Sequence, residues 1–209
     1  MTLRVAAISD IHGYFPIIEE PADILLIAGD ISPLEIQFNK PKMKIWLETE
    51  FAYWIKSLPV DRVFLIAGNH DSYLESISKT NILALQQACV KLTYLKNEVC
   101  DYVDSYGQVW TIFGTPYCHI FGNWPFMRSE EYMVGKCKQI PDAVDIIMSH
   151  DSPFAVGDVA VILAIVILNA VLGVYQEGKG DEALGALKKM SSPQTKVVRD
   201  GIVTLIGSE

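Results

Sequence analysis

Only four cysteines, Cys89, Cys100, Cys118 and Cys137, occur in 209 residues, and no pair of them has CxxC or zinc-ligand spacing. That usage argues against a cysteine-held zinc site and suits a reducing, cytosolic setting. Basic charge is also scarce. The chain carries 17 Lys+Arg against 25 Asp+Glu, a net −8, with 12 basic and 19 acidic residues in 1–154. A protein that coats nucleic acid needs a basic footprint that is missing here. Bound divalent metals would still let an acidic domain act on a nucleotide, because they reverse the local field. No secretory leader pattern opens the chain, since Met1–Ile8 runs straight into a strand-like segment. Internal repeats and low-complexity tracts are absent.

What is present is uneven. Hydrophobic residues make up 50% of the chain and the mean hydropathy is +0.24, high for a soluble protein. Much of the excess sits in Val159–Tyr175, an apolar run with one polar residue, Asn169. The first 150 residues instead alternate short apolar runs with helical spacing. Strands are expected at Leu3–Ser9, Ile24–Ala28, Arg62–Ala67, Val109–Gly114 and Val144–Ser149. Apolar positions 43, 47, 51, 54, 55 and 58 predict a helix over Met43–Leu58, and a second is expected over Asn81–Leu92. This alternation is an α/β pattern.

Four of the expected strands deliver a carboxylate, amide or imidazole just past their C-terminal ends, where α/β sheets collect ligands. Asp10 and His12 follow the first, Gly29-Asp30 the second, Gly68-Asn69-His70-Asp71 the third and His150 the last. Each alone has an ordinary explanation as a polar turn or a hydrogen-bonded histidine. Together, in this order, they indicate a metal site, and mixed oxygen and nitrogen ligation suits Mn, Fe or Zn better than Mg or Ca.

The order DxH, GD, GNHD and a strand ending in His resembles the calcineurin-like metallophosphoesterase superfamily over about residues 1–154. Phe113-Gly-Thr-Pro-Tyr, Trp124-Pro-Phe, Ile140-Pro141 and the segment around His150 resemble its metallophosphoesterase-domain (MPPED-like) branch. That branch usually follows the His with Gly-Pro-Pro, where this chain has Asp151-Ser152-Pro153. The resemblance implies an αββα sandwich and two divalent metals, with Mn first and Fe or Zn as alternatives. It implies that Asp10 and His12 bind one metal, Asn69 and His150 the other, and that Asp30 bridges both. His70 would be the general acid or a transition-state donor, and Asp71 an orienting group beside the catalytic residues. The substrate would be a phosphate-ester small molecule or a nucleotide: a monoester, a diester or a cyclic nucleotide.

One departure bears on activity. The family has a later GHxH motif giving one His to each metal, and no histidine follows His150 here. The remaining histidine, His119, lies in the aromatic segment Tyr117–Phe126 and reads as a pocket or packing residue. A sandwich truncated at its C-terminal end, with a weakened metal site, is therefore expected.

Residues of about 159–206 resemble a different family, the second membrane helix and start of the actuator domain of P-type cation-transporting ATPases. Gln176-Glu177, Ala183-Leu184, Leu187-Lys188-Lys189 and Arg199-Asp200-Gly201 carry that resemblance. The TGES loop and DKTG phosphorylation site are absent, so it implies neither ATP hydrolysis nor transport. The expected organisation is a phosphoesterase domain at 1–154, an apolar helix at 155–175 that either spans a membrane or packs against the truncated sheet, and an actuator-like piece at 176–209. The last comprises an amphipathic helix over Glu177–Met190 and a hairpin about Asp200-Gly201. Two cut units joined at Ala155–Val159 without a linker read as a fusion, a rearrangement or an assembly error. Three functions follow: a metal-dependent phosphoesterase, an inactive membrane-tethered fusion product, or an ATPase fragment without transport.

Overall fold

The computed structural model describes residues 2–151, 194–199 and 202–207. The chain divides into two compact units, Met1–Pro153 and Phe154–Glu209.

In the first unit, four parallel strands form one sheet in the order β1 (Val5–Ile8), β2 (Ala22–Ala28), β3 (Val60–Ile66), β4 (Leu92–Tyr94). A second sheet orders β5 (Glu98–Val103), β6 (Val109–Thr115) and β9 (Ile146–Ser149), with β5 antiparallel and β9 parallel to β6. Between them in sequence lie the short parallel pair β7 (Cys118–His119) and β8 (Met127–Arg128). Strand alternation decides the layering. Leu25, Ile27, Val63 and Leu65 point to a core shared with Met43, Leu47, Phe51 and Ile55 of the helical layer. Ile24, Leu26, Phe64 and Ile66 point the other way, against Tyr102, Ile112 and Met148 of the second sheet. Both faces of β2 and β3 are thus buried, which is why these strands read as continuous apolar runs. Each such buried side chain stabilises the fold by about 1.5–3 kcal/mol before conformational entropy is counted.

The helical run expected at Met43–Leu58 is built from α1 (Lys40–Trp46), a π-helical turn (Leu47–Phe51) and α2 (Ala52–Ser57). Asn39 caps it by accepting from the Lys42 amide, and Leu58, preceding Pro59, leaves it in an extended conformation. Inside the run, the Thr49 hydroxyl donates to the Ile45 carbonyl at 2.8 Å, next to the widened turn. Two short helices follow, α3 (Ser72–Ser76) and α4 (Lys79–Ala88), and α5 (Glu130–Cys137) comes later.

The expected helix over Asn81–Leu92 is corrected at its end. It stops at Ala88, and Leu92–Tyr94 becomes the edge strand β4, paired with Val63–Leu65. Burying Leu92 and Tyr94 against the helical core outweighs one more helical turn, and Gln86 reaches from α4 to accept the Tyr94 amide at 2.8 Å. The strand β5 was not expected from the sequence: Glu98 and Asp101 interrupt its apolar residues, and Val99 and Val103 lie exposed on its outer face.

In the second unit, β10 (Gln194–Arg199) and β11 (Ile202–Gly207) pair antiparallel, with Arg199 opposite Ile202. The expected helices of 155–175 and 177–190 lie outside the described residues. Among the described residues no helix is long and apolar enough to cross a membrane.

Candidate metal centre

The loops after β1, β2 and β3 converge because the parallel ladder continues into them. Asp10 donates its amide to the Gly29 carbonyl at 3.0 Å, His12 to Asp30 at 3.0 Å and Gly13 to Ile31 at 2.9 Å. That pairing bends the backbone sharply. Asp10, His12 and Asp30 all adopt positive φ, at 55°, 42° and 54°. Asp and His are among the side chains that best tolerate this region, and such strain clusters at functional sites.

Asp71 ties two of these loops together. Its carboxylate is wholly buried and accepts from the amides of Asp30 (2.9 Å), Ile31 (3.4 Å), Gly68 (2.8 Å) and Ser32 (3.0 Å), and from the Ser32 hydroxyl (2.6 Å). Burial pushes its carboxyl up, while the hydrogen bonds from Ser32 and Gly68 pull the other way. Asp71 therefore shapes the loops and spends its oxygens on backbone.

The ligand-type groups meet around Asp30, which is 3% exposed. Ligand atoms of Asp10, His12 and Asp30 all lie within 4.8 Å of one another. His12 Nε2 is 4.0 Å and His70 Nε2 3.9 Å from Asp30 Oδ2, while His150 Nε2 is 3.5 Å from Asp30 Oδ1. The same Oδ1 accepts the His70 amide at 2.8 Å. Asn69 Oδ1 lies 3.1 Å from His150 Nε2. All five sequence-derived ligands and His70 are thus gathered at one end of the first sheet. His150 comes from the end of β9 in the second sheet.

Two atoms test whether these residues fit a cation. His150 Nδ1 lies 2.8 Å from the Ala28 carbonyl, to which it must donate. Its Nε2 in the neutral ring is then an acceptor, yet it faces the oxygens of Asn69 and Asp30. A neutral His150 thus offers neither oxygen a proton, although Asp30 Oδ1 is also met by the His70 amide, and three ligand-type atoms converging in this way suit a cation. Ligand atoms each about 2.1 Å from one ion lie about 3–3.5 Å apart, close to the spacings seen. On the other side, His12 Nδ1 is buried with no hydrogen-bond partner. Both observations fit a metal centre.

Glycines give the close approach. A Cβ at Gly29, whose φ is +97°, would stand 2.6 Å from His150 Nδ1, and one at Gly68 would press on the Asp30 carboxylate and stand 2.5 Å from His150 Cε1.

His119, expected to be a pocket or packing residue, pairs with Asp151: its Nδ1 and its amide each lie 2.7 Å from Asp151 Oδ2. Burial pushes the thiol of nearby Cys118 up to about 12, helped by Asp151 and Asp30. Three residues close to the site were not apparent in the sequence. Gln37 bonds His70 Nδ1 at 2.7 Å, Ser32 bonds Asp71, and the Trp124 ring packs 4.6 Å from the His70 ring. Phe38 in turn stacks on Trp124 at 5.9 Å. Only the aromatic clustering around Trp124 offered a signal; the contacts of Gln37 and Ser32 depend on tertiary placement.

The family described as calcineurin-like phosphoesterase matches residues 3–162. The Homo sapiens metallophosphoesterase domain-containing protein 1 is 26% identical over 174 residues, covering 72% of this chain and 48% of that protein. The Caenorhabditis elegans UPF0046 protein C25E10.12 is 27% identical over 173 residues, covering 75% of this chain and 56% of that one. A Bacillus cereus calcium-transporting ATPase 1 is 52% identical over 52 residues, a quarter of this chain and 6% of the ATPase. The chain thus spans about half the length of the metallophosphoesterase relatives and a small part of the ATPase.

Proposed function

The chain belongs to the calcineurin-like phosphoesterase family, and from that premise we propose that it hydrolyses a phosphate ester at a dinuclear metal centre. In this reading Asp10 and His12 would hold one divalent cation and Asn69 and His150 the other, with Asp30 serving both. Bound there, the cations supply charge neutralisation for the phosphoryl oxygens and lower the pKa of the attacking water. Mn suits the mixed oxygen and nitrogen donors, with Fe or Zn as alternatives. The observation that supports the reading is the convergence of His150 Nε2, Asn69 Oδ1 and Asp30 Oδ1, with no proton offered to either oxygen by a neutral His150.

The protein groups have separable tasks. His70 Nε2, 3.9 Å from Asp30 Oδ2, stands where it can give a proton to the leaving oxygen as the P–O bond breaks and its electron pair stays on that oxygen. Asp71 fixes the backbone of Asp30 and Gly68, so the carboxylate and amide donors are held before substrate arrives. The Trp124 ring walls one face of His70 and lends an apolar, partly enclosed surface beside the leaving group. A phosphodiester with a planar leaving group is the substrate class this favours.

The test is hydrolysis of an aryl phosphodiester by the full chain with and without Mn²⁺. The expected result is metal-stimulated turnover that Asp30→Ala and His70→Ala each abolish. A second reading, a non-catalytic fusion product, draws on the ATPase-like stretch. Metal-independent background rates, unchanged by either substitution, would favour it and sink the first.

A further inference from the structure

Gln37 lies on the loop between β2 and α1, is 7% exposed, and bonds the ring of His70. A buried amide must satisfy both its ends, and here the two ends specify each other. Gln37 Nε2 donates to the Leu34 carbonyl at 3.1 Å. Turning the amide over would set its oxygen against that carbonyl, acceptor to acceptor, so Oε1 is the atom that faces His70. An amide oxygen can only accept. His70 Nδ1, at 2.7 Å, must therefore carry the proton. The neutral ring then has its lone pair on Nε2, the nitrogen that faces Asp30.

The support is two-sided. Ser72, two residues beyond His70, donates its hydroxyl to the Gln37 backbone carbonyl. The loop carrying Gln37 is thereby tied to the loop carrying His70 by backbone as well as side chain. Trp124 packs against the His70 ring, and the His70 amide is fixed by Asp30 at 2.8 Å. The ring is thus restrained at its amide, at one nitrogen and by an aromatic neighbour.

We propose that Gln37 is a positioning residue that selects the Nδ1–H tautomer of His70 and so fixes the direction in which its Nε2 points, toward Asp30. The idea rests on the reading of His70 as proton donor for phosphoester hydrolysis. A neutral amide oxygen accepts the Nδ1 proton whether or not Nε2 is protonated, so the ring keeps its direction through a reaction cycle. Carboxylates perform this orienting task for histidines elsewhere; here an amide does so without adding negative charge beside Asp30.

The test uses the full chain labelled with ¹⁵N-histidine, without metal, for the imidazole nitrogen shifts. Only four histidines are present, and His70→Asn assigns the resonance of interest. Wild type should show His70 with a protonated Nδ1 and a bare Nε2 in the neutral ring. Gln37→Leu should yield a mixture of tautomers, and with Mn²⁺ and an aryl phosphodiester should lower kcat about 10²-fold while KM changes less than about 2-fold. Gln37→Glu keeps an acceptor in place and should retain the Nδ1-protonated ring. A wild-type His70 protonated on Nε2, or a Gln37→Leu protein with the wild-type tautomer and kcat, overturns the proposal. If Gln37→Leu does not fold, Gln37→Glu decides: loss of the Nδ1 proton there overturns it. Wild type without turnover would defeat the phosphoesterase reading, while the nitrogen shifts would still decide the role of Gln37.

Discussion

The two sides of the Asp30 carboxylate are built differently. On one side, His150 has a side chain 8% exposed, its Nδ1 held by the Ala28 carbonyl and its Nε2 set 3.1 Å from Asn69. On the other, His12 is 29% exposed at its side chain, its Nδ1 has no partner, and Asp10 is exposed. The first side has its ring orientation fixed before any ion arrives. The second is anchored through its backbone, by three ladder-like hydrogen bonds and left-handed conformations, while the His12 ring is steadied only by lying edge-on to that of His70 at 5.0 Å. A family site can thus be well ordered on one half and dependent on its ion on the other.

The largest effect should come from removing what the halves share. Asp30→Ala is expected to eliminate calorimetric Mn²⁺ uptake on both sides and to cut phosphodiester turnover by about 10³-fold. Retention of one binding event would show that the halves are independent.

Next in size is Asp71→Asn. Its new NH₂ would confront amides that now donate to a carboxylate. A loss of about 3 kcal/mol is expected in urea unfolding, because buried donors are left without acceptors. Stability near wild type would mean that the loops are held mainly by strand pairing.

The comparison itself is sharpened by His150→Ala against His12→Ala. The preorganised side should lose about 100-fold in Mn²⁺ affinity and the other about 10-fold, read by calorimetry. Equal losses would remove the asymmetry.

The smallest change is Ser32→Ala. It deletes one 2.6 Å hydrogen bond to Asp71 and should cost about 1 kcal/mol in the same unfolding experiment, with metal affinity unchanged. A fall in affinity would show that Ser32 controls ligand placement.

Much of this site was legible in the chain because each ligand follows an apolar strand, and both the strands and the turn chemistry are local signals. Asp10, Asp30 and the Asn69–Asp71 run stand out that way. Which sheet carries His150 was not legible, since strand order across a sandwich is decided by pairings such as Ile112 with Ile146. Gln37 was hidden for a related reason: a glutamine in a Leu34–Asn39 loop has no periodic partner, and its meaning lies in a ring 33 residues away. The end of α4 was misread because Leu92 suits either a helix face or a strand, and only the open edge of β3 selects between them. The tail was read from resemblance alone, and its helices lie outside the described residues.

The reach of His150 has a consequence for how the protein is made. Asp10, His12, Asp30 and Asn69 are all synthesised within the first 69 residues, but the imidazole that meets Asn69 emerges 81 residues later. A chain leaving the ribosome carries four ligand residues long before the fifth, and β9 can dock only after β6 has formed beside it. Such distant pairings close late, because their loop entropy is offset only when the intervening strands are in place. A cation offered to the nascent chain would therefore meet an incomplete set of donors until the second sheet has arrived.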